Sequence, residues 1–419
     1  MSKARKPMRV KSHQLTVGID IGKYHHVAVG LAGDGRFTKP MKLPNTREGY
    51  EQLLLRIMAW KKEYGADEVL VGMESTGHYW EVPARWLTAH SIPVVQVNAL
   101  HTKRAKEIED NTPGKTDPKD ARIIAQLVAW GKYLDCHLPD GAVAELRQFV
   151  RQRSTLTNEL TEKRNYLRYL LDCVFPELFT VFKKSSGKTL LHLLALCPSP
   201  HELIGADQAD VARTLRQHCP TGAAKRLDRV YALARITVGI APARHAYAVA
   251  IRRTATRILA LREEKAEVEQ QMTKLLIELP EAGSLLSVKG IGPVSAAIIV
   301  GETGGLHRFG HAEEVIKLAG LNLFEVSSGT HKGTVRISKR GRPLLRQILF
   351  VLATIQAKKG MPFHACYEEL LNKKMPRVKA LIAVARKMVR VLFALVRDGR
   401  CYQDEKPAAL KMGRSSRYP

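Results

Sequence analysis

Four acidic residues, Asp20, Glu74, Asp117 and Asp120, are the side chains whose type and spacing best suit chemistry. Asp20 lies in LTVGIDIGKYHHVAVGL and Glu74 in VLVGMESTGHYW, each following an apolar, β-branched run. Such runs read as buried strands, so each carboxylate is expected on a strand or at its end. A carboxylate inside GIDIG is costly to bury unless it is paired or metal-bound. Asp117 and Asp120 lie in KTDPKDARIIAQL, where Pro118 marks a first helical turn. Asp117 is then the N-cap and Asp120 the third helical residue, facing each other as in a capping box. Alone, that pair is explained by capping and by the helix dipole. Crowded together with Asp20 and Glu74, the four would repel, and Mg²⁺ would relieve the repulsion. Mg²⁺ takes hard oxygen ligands and keeps positions open for phosphate oxygens. Two such ions about 4 Å apart stabilise both the attacking and the leaving oxygen of phosphoryl transfer.

Two further stretches bear on phosphate. In LLSVKGIGPVSAAIIVGETG, helix-like segments flank Gly290-Ile291-Gly292. The spacing resembles a helix–hairpin–helix, in which glycines bring backbone amides to a phosphate, with Lys289, Gly290 and Gly292 as contacts. The alternative is a simple tight turn between packed helices. From Val326 to Arg346 there are six Lys/Arg and no Asp/Glu. Lys332, Arg336, Lys339, Arg340 and Arg342 in that run form an electrostatic footprint for a phosphate backbone. Ser327 and Ser328 precede Gly329, which sets a hydroxyl in a turn. A serine nucleophile needs a base or metal and cations nearby, and read from its residues alone Ser-Ser-Gly is a loop. His25, His26 and His78 lie near the acids without metal-ligand spacing and read as structural or substrate-side residues.

The elements that must position these residues follow from periodicity. Residues 13–135 alternate strands and helices, opening on a hairpin of LTVGIDI and VAVGLA, with a helix at 47–64, a strand at 68–73, a helix at 77–90 and a strand at 92–97. A mixed sheet covered by helices, as in a ribonuclease H-like α/β fold, begins this way. Residues 143–180 carry apolar residues at helical spacing with dense basic charge and read as one long helix. A helical insert at 186–240 and a second long helix at about 243–279 follow. The long pair is a coiled-coil arm or two ordinary core helices. Residues 281–400 form a mainly α C-terminal domain, so the expected division is 13–135, 143–280 and 281–400.

Composition bounds the partner. Lys+Arg outnumber Asp+Glu by 67 to 40, a net charge of +27 that predicts a polyanion, and nucleic acid rather than membrane because no long apolar span accompanies it. The six cysteines are far apart and form no CxxC pair, so neither a zinc site nor a disulfide framework is indicated, and a cytoplasmic setting is expected.

Taken together, GIDIGK, MESTGHYW, the NxxxxKxxK-like text after VVQVN, KTDPKDA, VKGIGPVSAA and SSGTHKGTVRISKRGRPLLR resemble the DEDD transposases of insertion sequences. These are the IS-one-ten group of bridge-RNA-guided serine recombinases, and the stretches span about residues 15–350. The resemblance implies an N-terminal RuvC-like domain, a coiled-coil region and a C-terminal transposase domain. It assigns Asp20, Glu74, Asp117 and Asp120 to a Mg²⁺ site and matches the family's nucleophilic serine to Ser328, the residue before the glycine, rather than to Ser327. It further implies a covalent phosphoserine linkage to DNA, a structured guide RNA that pairs with donor and target DNA, and a dimer or tetramer with a composite site across protomers, acting on the bacterial nucleoid. Two rivals remain: a RuvC-like junction nuclease with water as nucleophile, and a non-catalytic nucleic-acid-binding protein.

Overall fold

A computed structural model describes residues 13–74, 77–110, 117–184, 187–219, 224–240, 244–325, 333 and 335–403. The chain divides into two compact units, Met1–Leu138 and Pro139–Pro419.

In the first unit the strands are β1 (Gln14–Ile21), β2 (His25–Leu31), β3 (Met41–Pro44), β4 (Glu68–Glu74), β5 (Val94–Val97) and β6 (Leu134–Asp135). The helices are α1 (Arg47–Glu63), α2 (Glu81–Ala89), α3 (Ala99–Asp110) and α4 (Asp117–Ala129). The sheet order is β3-β2-β1-β4-β5-β6, with β1, β2 and β3 antiparallel and β1, β4 and β5 parallel. This mixed order, a meander followed by parallel crossovers, fits the expectation of a RuvC-like, ribonuclease H-like sheet. The central strands are apolar on both faces because helices cover both. Leu15, Val17 and Ile19 of β1 join Tyr50, Leu53, Ile57 and Trp60 of α1 in one core. Thr46 caps α1, its hydroxyl accepting from the Gly49 amide at 3.2 Å, and Lys61 and Lys62 complement the helix dipole at the other end.

The opposite face carries α4. Successive strand side chains alternate faces, so Thr16, Gly18 and Asp20 share the face that Leu15, Val17 and Ile19 do not. A Cβ on Gly18 would stand 2.1 Å from the Ala121 carbonyl oxygen, so this glycine is what lets the α4 backbone lie on β1. One on Gly72, its partner across β1 and β4, would stand 2.3 Å from Val128 Cγ2. These close approaches fix where α4 sits along the strands.

The second unit is helical. Its long helices α5 (Gly141–Val174) and α11 (Arg244–Ile277) run antiparallel, with Arg153 Nε 2.7 Å from Glu269 Oε1 and Arg257 Nε 3.0 Å from Glu159 Oε1. Between them lie α6 (Leu178–Val181), α7 (Lys188–Leu196), α8 (Pro200–Gly205), α9 (Gln208–His218) and α10 (Ala224–Arg235). After them come α12 (Glu281–Leu286), α13 (Pro293–Thr303) and α14 (Ala312–Leu318), then the hairpin β7 (Leu323–Phe324) and β8 (Arg336–Ile337), then α15 (Pro343–Gln356), α16 (His364–Asn372) and α17 (Arg377–Asp398). One apolar cluster runs from Leu146 on α5 to Phe393 on α17. The long pair is therefore seated on a core by part of its length, with apolar residues such as Leu146, Val150, Ile251 and Ile258 buried. The cysteines form no disulfide. Among the described residues, no helix is long and apolar enough to cross a membrane.

Candidate active site

Asp20, Glu74 and the first turn of α4 lie toward one end of one sheet face. Asp20 and Glu74 each follow the last registered pair of β1 and β4, Ile19 with Met73, so they are neighbours across the two strands. Both are half-buried. By alternation they share the face of Gly18 and Gly72, which is the face α4 covers.

Helix α4 runs antiparallel to β1. Its Ala121 packs with Val27 and Val29, the partners of Asp20 and Gly18, whereas Ala125 and Ala129 pack with Leu31, the partner of Thr16. The first turn of α4 is therefore level with Asp20. Asp120 lies on the sheet-facing stripe Asp120-Ile124-Val128, spaced by four. It is 4% exposed, and its Oδ1 is buried without a hydrogen-bond partner. Asp117 opens the helix and is exposed, so the two members of the DxxD pair differ in surroundings.

A buried carboxylate oxygen must find positive charge. Here Lys106 of α3 supplies it, with Nζ 2.5 Å from Asp120 Oδ1. The contact is an ion pair that supplies the buried carboxylate with its counter-charge. In donor chemistry, Asp20, Glu74 and Asp120 suit a hard divalent cation. Among the described residues, no three His, Cys, Asp or Glu side chains are gathered closely enough to hold one.

The turn after Asp20 is pinned from below. The Gly22 amide donates to His26 Nδ1 at 3.3 Å, and His26 Nε2 lies 3.4 Å from the Tyr50 hydroxyl. The Tyr50 hydroxyl donates to Asn45 Oδ1, and Asn45 Nδ2 donates to the Lys23 carbonyl at 3.0 Å. His26 is buried and stacks on Tyr50, with ring planes 8° apart. Burial pushes its imidazole below the usual histidine range, outweighing the upward pull of Asn45. Its role is structural. His25 and His78 are exposed, and His78 lies against Tyr79.

In the second unit, Lys289, Gly290 and Gly292 form an exposed turn between α12 and α13, with Ile291 buried beneath them. Gly290 has φ +90°, a conformation that favours glycine. Gln356 of α15 clamps the turn, its Nε2 donating to the Lys289 carbonyl at 2.7 Å, while Lys289 Nζ donates to the Gly360 carbonyl at 3.1 Å. Arg336, Lys339 and Arg340 are exposed on β8 and the turn after it. Arg342 is half-buried, with Nη1 3.9 Å from Glu302 Oε2. Ser327, Ser328 and Lys332 lie outside the described residues.

Sequence reasoning gave no role to Lys106 or Gln356. Lys106 is the second lysine of the NxxxxKxxK-like text, which was a signal without a position. Gln356 carried none, because a lone glutamine in an apolar helix is unremarkable until the fold sets it against Lys289.

Comparison with known proteins bears on both units. A DEDD transposase family model of the IS110 type, described as Transposase, matches residues 17–176, and one described as Transposase IS116/IS110/IS902 family matches residues 282–368. The chain is 26% identical to an insertion element IS110 uncharacterized 43.6 kDa protein of Streptomyces coelicolor, covering 94% of this chain and 97% of that one. It is also 26% identical to an insertion element IS116 uncharacterized 44.8 kDa protein of Streptomyces clavuligerus, covering 96% and 99%. A solved structure of T. thermophilus RuvC in complex with Holliday junction substrate is similar at 16% identity and a TM-score of 0.23, over 30% of this chain and 100% of that one.

Proposed function

We propose that this chain, which resembles the IS110-family DEDD transposases in both of its units, moves an insertion sequence by cutting and rejoining DNA with a serine nucleophile under RNA guidance. The observation that carries the reading is the placement of Asp20 and Glu74 at adjoining ends of β1 and β4, on the sheet face against which α4 sets the buried Asp120, with Asp117 opening the same helix. DEDD and RuvC-like enzymes use divalent metal. Asp20, Glu74, Asp117 and Asp120 would hold it here, and Mg²⁺ is the proposed ion. When bound, the metal supplies positive charge to phosphate oxygens and lowers the barrier to displacement at phosphorus.

The remaining roles belong to the protein. The Ser328 hydroxyl attacks phosphorus, the Ser–O–P bond forms as one phosphodiester P–O bond breaks, and the serine's proton passes to the leaving DNA oxygen. The released DNA hydroxyl, or that of another strand, reverses the exchange, so phosphodiester bonds are conserved and water is not consumed. Arg336, Lys339, Arg340 and Lys332 would neutralise backbone charge. Lys289, Gly290 and Gly292 would bind a phosphate as a helix–hairpin–helix does, and Arg342 would add to the charge of the basic run. The long helices would serve a dimer or tetramer through a coiled coil. A structured guide RNA would pair with donor and target DNA, which would place sequence choice in base pairing rather than in a base-reading element. The setting would be the bacterial cytoplasm, on nucleoid DNA.

The test is a trap for covalent adducts. Purified protein is incubated with element-end DNA, its cognate RNA and Mg²⁺, then run on a denaturing gel. A protein–DNA adduct is expected in the wild type and absent from Ser328→Ala. Cleavage without adduct that persists in Ser328→Ala would overturn the serine reading in favour of a water-using nuclease.

A further inference from the structure

In the second unit a buried carboxylate grips a histidine that faces solvent. Glu281, the first residue of α12, is 4% exposed. Its Oε1 accepts from the His307 backbone amide at 3.0 Å and lies 2.5 Å from His307 Nδ1, so one oxygen fixes both the main chain and the ring. An ionised carboxylate only accepts, so the hydrogen between them sits on Nδ1 and the neutral ring keeps its lone pair on Nε2. The His307 side chain is 62% exposed. The turn before it is shaped to the pair: Gly305 has φ +96°, and a Cβ there would stand 2.5 Å from His307 Cε1 and 2.9 Å from Nδ1. The second oxygen of Glu281, Oε2, is buried without a hydrogen-bond partner. A half-satisfied buried carboxylate is costly, and less so beside a cationic ring than a neutral one. A neutral amide would tie a loop to a helix without burying charge. A buried carboxylate behind an exposed ring orients an imidazole and steadies it once it takes a proton. The basic run reaches the same end of α13, since Glu302 in the last turn of that helix has Oε2 3.9 Å from Arg342 Nη1.

We propose that Glu281 and His307 are a proton-transfer dyad for phosphoryl transfer, a role that rests on the reading of the second unit as the bearer of the nucleophile. His307 Nε2 takes the proton of the attacking hydroxyl as the oxygen–phosphorus bond forms. It then gives that proton to the DNA oxygen whose bond to phosphorus breaks, so no proton is gained or lost overall. Glu281 is a positioning residue that holds the ring and offsets its charge between the two transfers.

The test follows adduct formation and DNA cleavage in full-length wild type, His307→Asn, His307→Gly, Glu281→Gln and Ser328→Ala. Histidine modification by diethylpyrocarbonate is mapped in the same proteins by mass spectrometry. Asparagine can still donate to Glu281, so His307→Asn should melt close to wild type yet form adduct about a hundredfold more slowly. Added imidazole should restore part of the rate in His307→Gly and leave wild type unchanged. The reagent should modify His307 faster than the exposed His25 and His78, and Glu281→Gln should remove that lead, a readout that needs no activity. His307 variants that form adduct at the wild-type rate, or a His307 no more reactive than His25, would overturn the dyad. So would a rate loss that tracks a fall in Tm and does not respond to imidazole, which would make the pair a structural tie. Wild-type cleavage without adduct, slowed in His307→Asn and restored by imidazole in His307→Gly, would overturn the serine and leave the dyad serving another nucleophile.

Discussion

Gly18→Ala should cost more than its one methyl group suggests. The new Cβ would lie 2.1 Å from the Ala121 carbonyl oxygen and 2.4 Å from the Ala125 amide nitrogen, where real Cβ atoms do not come inside 3.0 Å. Both neighbours are α4 backbone, so no rotamer relieves the clash, and the helix must lift by about 1 Å. It cannot lift freely, because Ile123, Ile124, Leu127 and Val128 are packed on Val95 and Val97. Overpacking of this kind costs about 1–3 kcal/mol, and a backbone clash belongs at the upper end. For a unit of this size that is roughly a 6–12 °C fall in Tm. The displaced helix also carries Asp120, which precedes Ala121. A misplacement of about 1 Å in a catalytic constellation costs on the order of 10²-fold in rate. The assay is thermal melting, followed by the DNA-cleavage test of the proposed function. Gly72→Ala is the comparator, since its Cβ would meet Val128 Cγ2 at 2.3 Å, a side chain that can be trimmed. Its cost should shrink in a Val128→Ala background, whereas no side-chain trimming should rescue Gly18→Ala. A Gly18→Ala protein that melts within about 1 °C of wild type and cuts at full rate would refute the seating of α4 on β1.

Two further outcomes follow from buried polar groups. His26 is held below its ordinary value of 6.5 chiefly by burial, so the unfolded chain takes up the proton first as pH falls. The stability from keeping it neutral is complete above about 6.5 and is lost as pH drops through the folded value. Wild-type Tm should therefore fall more steeply than that of His26→Gln on acidification from neutral pH, and parallel slopes would contradict this. Arg147, 8% exposed, donates from Nε to the Gly301 carbonyl at 3.0 Å and ties α5 to α13. Arg147→Met should lose about 1–2 kcal/mol in urea denaturation by leaving that carbonyl without its donor, and an unchanged midpoint would show that the bond contributes nothing net.

The sequence by itself determined what is local. β-Branched runs ending at Asp20 and Glu74 read as strands, Asp-Pro at 117–118 read as a helix start, and two long charged amphipathic stretches read as long helices. Side-chain period and turn chemistry act over a few residues, so a one-dimensional reading captures them. The helix boundaries drifted, with α2 beginning at Glu81 rather than 77, because a Pro three residues into the helix and a Gly at 77 leave the first turn to packing. What only the tertiary structure decided is pairing across distance. The register of β1 on β4 makes Asp20 and Glu74 neighbours, and two glycines seat α4 so that its first turn is level with them. Asp117 and Asp120 look alike in the chain, yet one is exposed and the other buried, since only the stripe spaced by four faces the sheet. The Lys106 partnership with Asp120 and the Gln356 clamp on Lys289 depend on how helices pack side by side. Periodicity says which face of a helix is buried, but the partner on that face is chosen by the shapes of elements far away in the chain.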